Sequence, residues 1–141
     1  MTWIVYALGT AFALAVADFC VKLASGKVSS SLGLLLYGSC TFLTGLCWVM
    51  LDRIRGAEIH AQAQGIVAAT AVGVAFSAVT VGLYVSFGAG APISLVSPIV
   101  RLGGLILASM AGLILLNEPL TGRYILGVFL AVCGILLIIT R

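Results

Sequence analysis

The feature that most constrains this chain is a succession of five long apolar runs, at about residues 3–21, 31–51, 65–87, 93–116 and 123–139, with little between them. A helix needs about 20 residues to cross a hydrocarbon core of about 30 Å, and each run is near that length. Barrel strands need only about 10 residues and alternate in polarity, which these runs do not. Of the 141 residues, 62% are hydrophobic and 8% charged, and mean hydropathy is +1.28, a makeup that would aggregate as a water-soluble domain. The expected fold is an all-α integral membrane protein: a five-helix transmembrane bundle, one domain over residues 1–141, multi-pass in the inner (plasma) membrane. The lipid bilayer is then its constant partner.

The connections are short. The longest, from Asp52 to Gln64, holds Arg53, Arg55, Glu58, His60 and two glutamines and reads as a solvated loop. GAGAP, from Gly88 to Pro92, reads as a turn between helices. Ala15, Val16 and Ala17 ahead of Asp18 mimic a signal-peptidase site, but no Lys or Arg precedes the apolar run, which continues through Phe19, Cys20 and Val21. The first run is therefore expected to stay uncleaved.

Several chemistries find no support. Cys20, Cys40, Cys47 and Cys133 fall inside the runs without metal-ligand spacing and read as small packing residues. No catalytic constellation, phosphate-binding loop or cofactor motif stands out, so neither an enzyme nor a cofactor or metal is expected. The net charge of +3 is scattered over loops, with no basic stripe for nucleic acid. Small residues at four-residue spacing, which let membrane helices approach, run through Gly9, Ala13 and Ala17; through Gly65, Ala69, Gly73 and Ser77; through Gly104, Ala108 and Gly112; and through Gly127 and Ala131. They read as the faces that hold the bundle together.

From Val81 to Arg141, and best in LVSPIVRLGGLILASMAGLILLNEPLTGRYILGVFLAVCGILLI, the chain carries Glu118 and Thr121 in the turn after helix four, then Gly127 and Gly134 seven apart on helix five. This stretch resembles the drug/metabolite transporter superfamily, in particular its EamA-type domain. The N-terminal half is similar more loosely, through ADFCVKLASGKV and through its length. Asn117 stands where such domains usually have Gly. The resemblance implies a five-helix unit of which most relatives fuse two copies into one carrier. For Glu118 the residues suggest a solvated carboxylate at the membrane boundary, with Thr121 capping helix five.

Orientation follows Lys and Arg on short loops. Arg53, Arg55 and Arg123 lie on the side of the N-terminus; Lys22, Lys27 and Arg141 lie on the other, so three face three. A chain without charge bias inserts both ways, and an odd number of crossings then makes two copies an inverted pair. The expected assembly is an antiparallel homodimer, or a pairing with a sister subunit.

Two charges lie deep within the runs. Arg101 is about nine residues into helix four, roughly 13 Å deep, where an arginine costs on the order of 3 kcal/mol to insert and must face the interior. Pro98 has no amide hydrogen for the Ser94 carbonyl, and Gly103 and Gly104 follow, so a kink or loosening is expected there, with Ser94 and Ser97 adding hydroxyls one turn earlier. A Pro/Gly-interrupted crossing points to a transporter's central site, so Arg101, Ser94, Ser97 and Pro98 are the expected substrate-binding residues, Arg101 for an anionic group. Asp18 lies three-quarters along helix one with Lys22 one turn on, the favourable order for an i, i+4 pair. Asp18 is the candidate for carrying a coupling proton, with Lys22 or Arg101 as its structural counter-ion in the competing account.

These residues point to a secondary transporter of small metabolites or drugs, working by alternating access at a dimer interface. The alternatives are a subunit that flips a lipid-linked anionic headgroup and a non-transporting membrane partner protein.

Overall fold

The computed structural model describes residues 2–115 and 121–140, and its helices fall where the apolar runs lie. Among the described residues there are five: α1 Thr2–Ala24, α2 Ser30–Ile54, α3 Ala63–Gly88, α4 Ile93–Leu115 and α5 Gly122–Ile139. The first four are long and apolar enough to cross a bilayer, which marks the chain as a membrane protein. The fifth is apolar but shorter, 18 residues with a rise of about 27 Å. Met1–Ala89 and Gly90–Arg141 form two compact units. In the first, α3 packs against both α1 and α2; in the second, α4 packs against α5.

Helix ends differ from the expected limits for local reasons. The first helix continues to Ala24, so that Lys22 falls in its last turn. The Ser25 amide still reaches the Val21 carbonyl at 2.8 Å, and the chain then reverses at Gly26, whose φ of 79° a side chain would strain. The amides of Lys27 and Val28 both return to the Ala24 carbonyl at 3.0 Å, closing the turn. Ser29 caps the second helix, its hydroxyl accepting from the Leu32 amide at 3.4 Å.

The fourth helix runs unbroken from Ile93 to Leu115 with Pro98 inside it, so the proline removes one hydrogen bond without interrupting the helix. Thr121 occupies the N-cap position of α5 but makes no capping side-chain hydrogen bond. Glu118 lies outside the described residues.

Most positions of the small-residue stripes do not lie where the described helices meet. A methyl group added at Gly9, Gly65, Gly73, Gly104 or Gly127 would meet nothing within 4 Å, and Ala13, Ala17, Ala69 and Ala108 are exposed. Ser77 and Ala131 are half-buried, and Gly112 alone of these residues is buried. The close approach occurs at Gly33, in none of the stripes, where an added Cβ would lie 2.5–2.8 Å from the ring and hydroxyl of Tyr84. Four-residue spacing marks a face that can approach a neighbour; the neighbour's own side chains decide whether it does.

Burial in the first unit is confined to one end. Asp18, Gly33, Thr80, Leu83, Tyr84 and Phe87 are buried there, all near the C-termini of α1 and α3 and the N-terminus of α2. Towards the other end Trp3 is 70% exposed and Trp48 68%. Exposed hydroxyls within the helices close back on their own backbone: Thr10 donates to the Tyr6 carbonyl at 2.8 Å, Ser39 to Leu35 at 2.8 Å, Thr44 to Cys40 at 2.8 Å and Thr70 to Ile66 at 2.9 Å. Such groups can face lipid without an unmet donor.

Candidate substrate and coupling site

The first unit gathers its polar and aromatic residues in two layers. Thr80, Leu83, Tyr84 and Phe87 follow the i, i+3, i+4, i+7 spacing of one helix face, and that face is the buried one of α3. Against it α1 sets Asp18, Lys22 and, just past its end, Ser25. The Lys22 ammonium lies 5.3 Å from the centre of the Phe87 ring, within cation–π range, and the Ser25 hydroxyl donates to the Tyr84 carbonyl at 3.2 Å. A Cβ on Gly88 would sit 3.6 Å from the Ser25 hydroxyl oxygen. Residues 22 and 25 of one strand of chain thus pair with 84–88 of the other, and one turn further in this register sets Asp18 at the level of Thr80.

Asp18 and Thr80 form the inner layer, 5% and 8% exposed, the buried polar side chains among the described residues. Thr80 donates to the Phe76 carbonyl at 2.9 Å. Lys22, Ser25, Tyr84 and Phe87 form the outer layer, about 6–10 Å nearer the membrane surface at 1.5 Å per residue. Asp18 and Lys22 do share a face, as their spacing requires, and neither is without a partner.

In the second unit Ser94, Ser97 and Arg101 follow i, i+3, i+7 along α4, so one face carries all three. Ser97, Pro98 and Arg101 are half-buried, whereas Ser94 is exposed near the helix start. Ser97 and Arg101 are each engaged. Further along, α4 and α5 enclose an apolar cleft of about 450 Å³ lined by Ile106, Met110, Leu113, Ile125, Val128 and Phe129, with a Ser109–Tyr124 hydroxyl pair at its wall. In the first unit a shallower groove of about 500 Å³ lies between α2 and α3, where Ser31, Ser39 and Ser77 add hydroxyls to Leu34, Gly38 and Phe42.

Other residues stay outside these sites. His60 lies 3.6 Å from the Glu58 carboxylate in the α2–α3 loop, but both are more than four-fifths exposed, 82% and 88%, where such a pair is worth little. The four cysteines are free; Cys20, Cys40 and Cys47 are exposed and Cys133 half-buried.

Spacing singled out Asp18, Lys22, Ser94, Ser97, Pro98 and Arg101, but not Ser25, Gly33, Thr80, Tyr84 or Phe87. The face of Thr80, Leu83, Tyr84 and Phe87 has a legible period, yet α3 is apolar all round and that uniformity hides it. Gly33 has no sequence signal at all, because its meaning is the Tyr84 ring lying on it. No family model, curated protein or solved structure matches the chain.

Proposed function

We propose that the chain is a secondary transporter of small metabolites or drugs, working by alternating access at a dimer interface in the inner (plasma) membrane. In this reading it is a single five-helix domain of the EamA type, within the drug/metabolite transporter superfamily. The observation that carries it is Asp18, a carboxylate 5% exposed on a helix able to cross a bilayer. Ionisable groups in such places are costly and mark ion or substrate pathways. Arg101, half-buried on α4 in line with Ser97, supplies the fork for an anionic group of the substrate.

The helix α5 completes an odd number of crossings, its shorter length met by local thinning of the bilayer. Lys22, Arg53 and Arg123 lie within terminal turns of their helices; counted with the loops they give three against three, and leaving out Lys22 alone would tip the count. Two oppositely inserted copies then form the antiparallel homodimer. A C-terminal reporter is expected to score on both sides of the membrane, and one orientation alone would remove the inverted dimer.

Two measurements test transport itself. In proteoliposomes with an imposed pH gradient, a panel of small carboxylates and phosphate esters is expected to yield uptake that Asp18→Asn abolishes; undiminished gradient-driven uptake rules out the coupling role. In a thermal-shift screen with the same panel, Arg101→Lys is expected to fold yet lose most of the stabilisation by the ligand, because a point charge does not replace a planar fork. If instead Arg101→Ala unfolds and Asp18→Ala restores it with binding intact, Arg101 is a counter-ion.

The lipid-linked reading keeps one supporting observation, the α4–α5 cleft, whose lining suits an acyl or prenyl tail. A lipid bearing an anionic headgroup that copurifies through detergent would favour it.

A further inference from the structure

We infer that the outer layer of the first unit is a gate: Tyr84 seated on Gly33 and Lys22 over Phe87 close the path from one membrane surface to Asp18, and they part to open it. The inference rests on the transport reading for what passes, but its geometry stands alone. Asp18 and Thr80 are the buried polar pair among the described residues, 5% and 8% exposed, and one turn nearer that end Lys22 lies over Phe87, Ser25 holds the Tyr84 carbonyl and Tyr84 sits on Gly33. A polar group this deep in a membrane helix is reached by water or by a proton only past that cover.

The seat has two states rather than a range. At Gly33 there is no slack, since an added Cβ would lie 2.5 Å from the Tyr84 ring, so the ring is either down on the backbone or lifted off it. Lifting it is local. Gly82 lies in α3 directly inside the ring layer with nothing within 4 Å, and a helical glycine is worth about 1 kcal/mol less than alanine, which gives the last turns a point at which to bend. On the facing side the α1 end is followed at once by Gly26 at a φ of 79°. The Ser25 hydroxyl bond and the Lys22–Phe87 contact also hold the layer, and when they part water can take the place of the one and hydrate the ammonium of the other.

The test reads the accessibility of the inner layer and needs no substrate. In a background of Cys20→Ala, Cys40→Ala, Cys47→Ala and Cys133→Ala, full-length Thr80→Cys in nanodiscs is treated with a charged maleimide, and modification at position 80 is followed by peptide mass mapping. The seated ring keeps the rate low. Gly33→Ala is expected to raise it roughly five- to thirtyfold, the population shift that overpacking of this size produces. Tyr84→Ala, which removes the ring without crowding the helix, is expected to raise it similarly. Oxidising a Ser25→Cys/Gly88→Cys pair, placed where the added Cβ and the side-chain atom are 3.6 Å apart, is expected to drop the rate below that of the reduced protein. A rate at position 80 indifferent to Tyr84→Ala and to the cross-link overturns the gate, even if Gly33→Ala fails to fold. Uptake that fails while the labelling responds removes the transport reading and leaves the gate; uptake with indifferent labelling does the reverse.

Discussion

At one end of the first unit, Asp18, Gly33, Thr80, Leu83, Tyr84 and Phe87 are buried; at the other, from residues 3 to 13, 40 to 54 and 63 to 76, no residue is. The two ends are about equally apolar, so hydrophobicity does not explain the difference. In lipid it cannot, because a leucine gains nothing by leaving acyl chains for another leucine. What differs is the polar content. Thr10, Thr44 and Thr70 at the open end satisfy their hydroxyls on their own helices, whereas the closed end buries the Asp18 carboxylate and lays the Lys22 ammonium over a ring of α3. The helices close where polar groups need cover and stay apart where they do not.

The largest expected break in this comparison is Tyr84→Ala. It should lower stability in detergent by about 2–3 kcal/mol, less than in a soluble core because the transfer part vanishes in an apolar surround. Trp48→Ala at the open end should change it by under about 0.5 kcal/mol. Equal losses in thermal unfolding would show that the ends are not different in kind. Gly33→Ala should cost about 1–2 kcal/mol, while Gly38→Ala on the same helix, where an added methyl meets nothing within 4 Å, should be neutral or stabilise by up to about 1 kcal/mol. The opposite signs, five residues apart, are the sharpest form of the contrast.

Lys22→Met keeps much of the stem and removes the charge over Phe87; a loss of about 0.5–1 kcal/mol is expected, and the share of it that survives added salt belongs to the ring contact. A loss that disappears in high salt would assign Lys22 to exposed ion pairing instead. Smallest is Thr10→Val, under about 0.5 kcal/mol in either direction, because the hydroxyl and its acceptor belong to one helix. A large loss there would mean that a second molecule binds that face.

Positions of the helices were legible because length and apolarity alone set them, and α1 to α4 lie within three residues of the runs. The ends were less so: Lys22 belongs to a helical turn since a long basic side chain can reach the surface from inside a helix, which hydropathy scores as an ending. Asp18 was legible as a buried charge from its place in a crossing. Its cover was not, because Tyr84 and Phe87 lie more than sixty residues away and nothing in an apolar α3 separates them from Phe76 or Val85, which face outwards. The stripe on α3 was no guide for the same reason: Gly65 and Gly73 show where a neighbour fits, and only the register of α1 and α2 on α3 shows that neither of those helices comes within 4 Å of a Cβ added there.

The hydroxyls that bond back to their own helices bear on how the chain is made. A crossing whose polar groups are already met can leave the translocation channel alone and wait in the bilayer for its neighbours. Helix α1 differs from such a crossing, because Asp18 emerges some sixty residues before Thr80, Tyr84 and Phe87 do. Asp18 can gain the neighbours of its folded state only once α3 has been made, so the order in which the ribosome delivers these segments sets the step at which that carboxylate is buried.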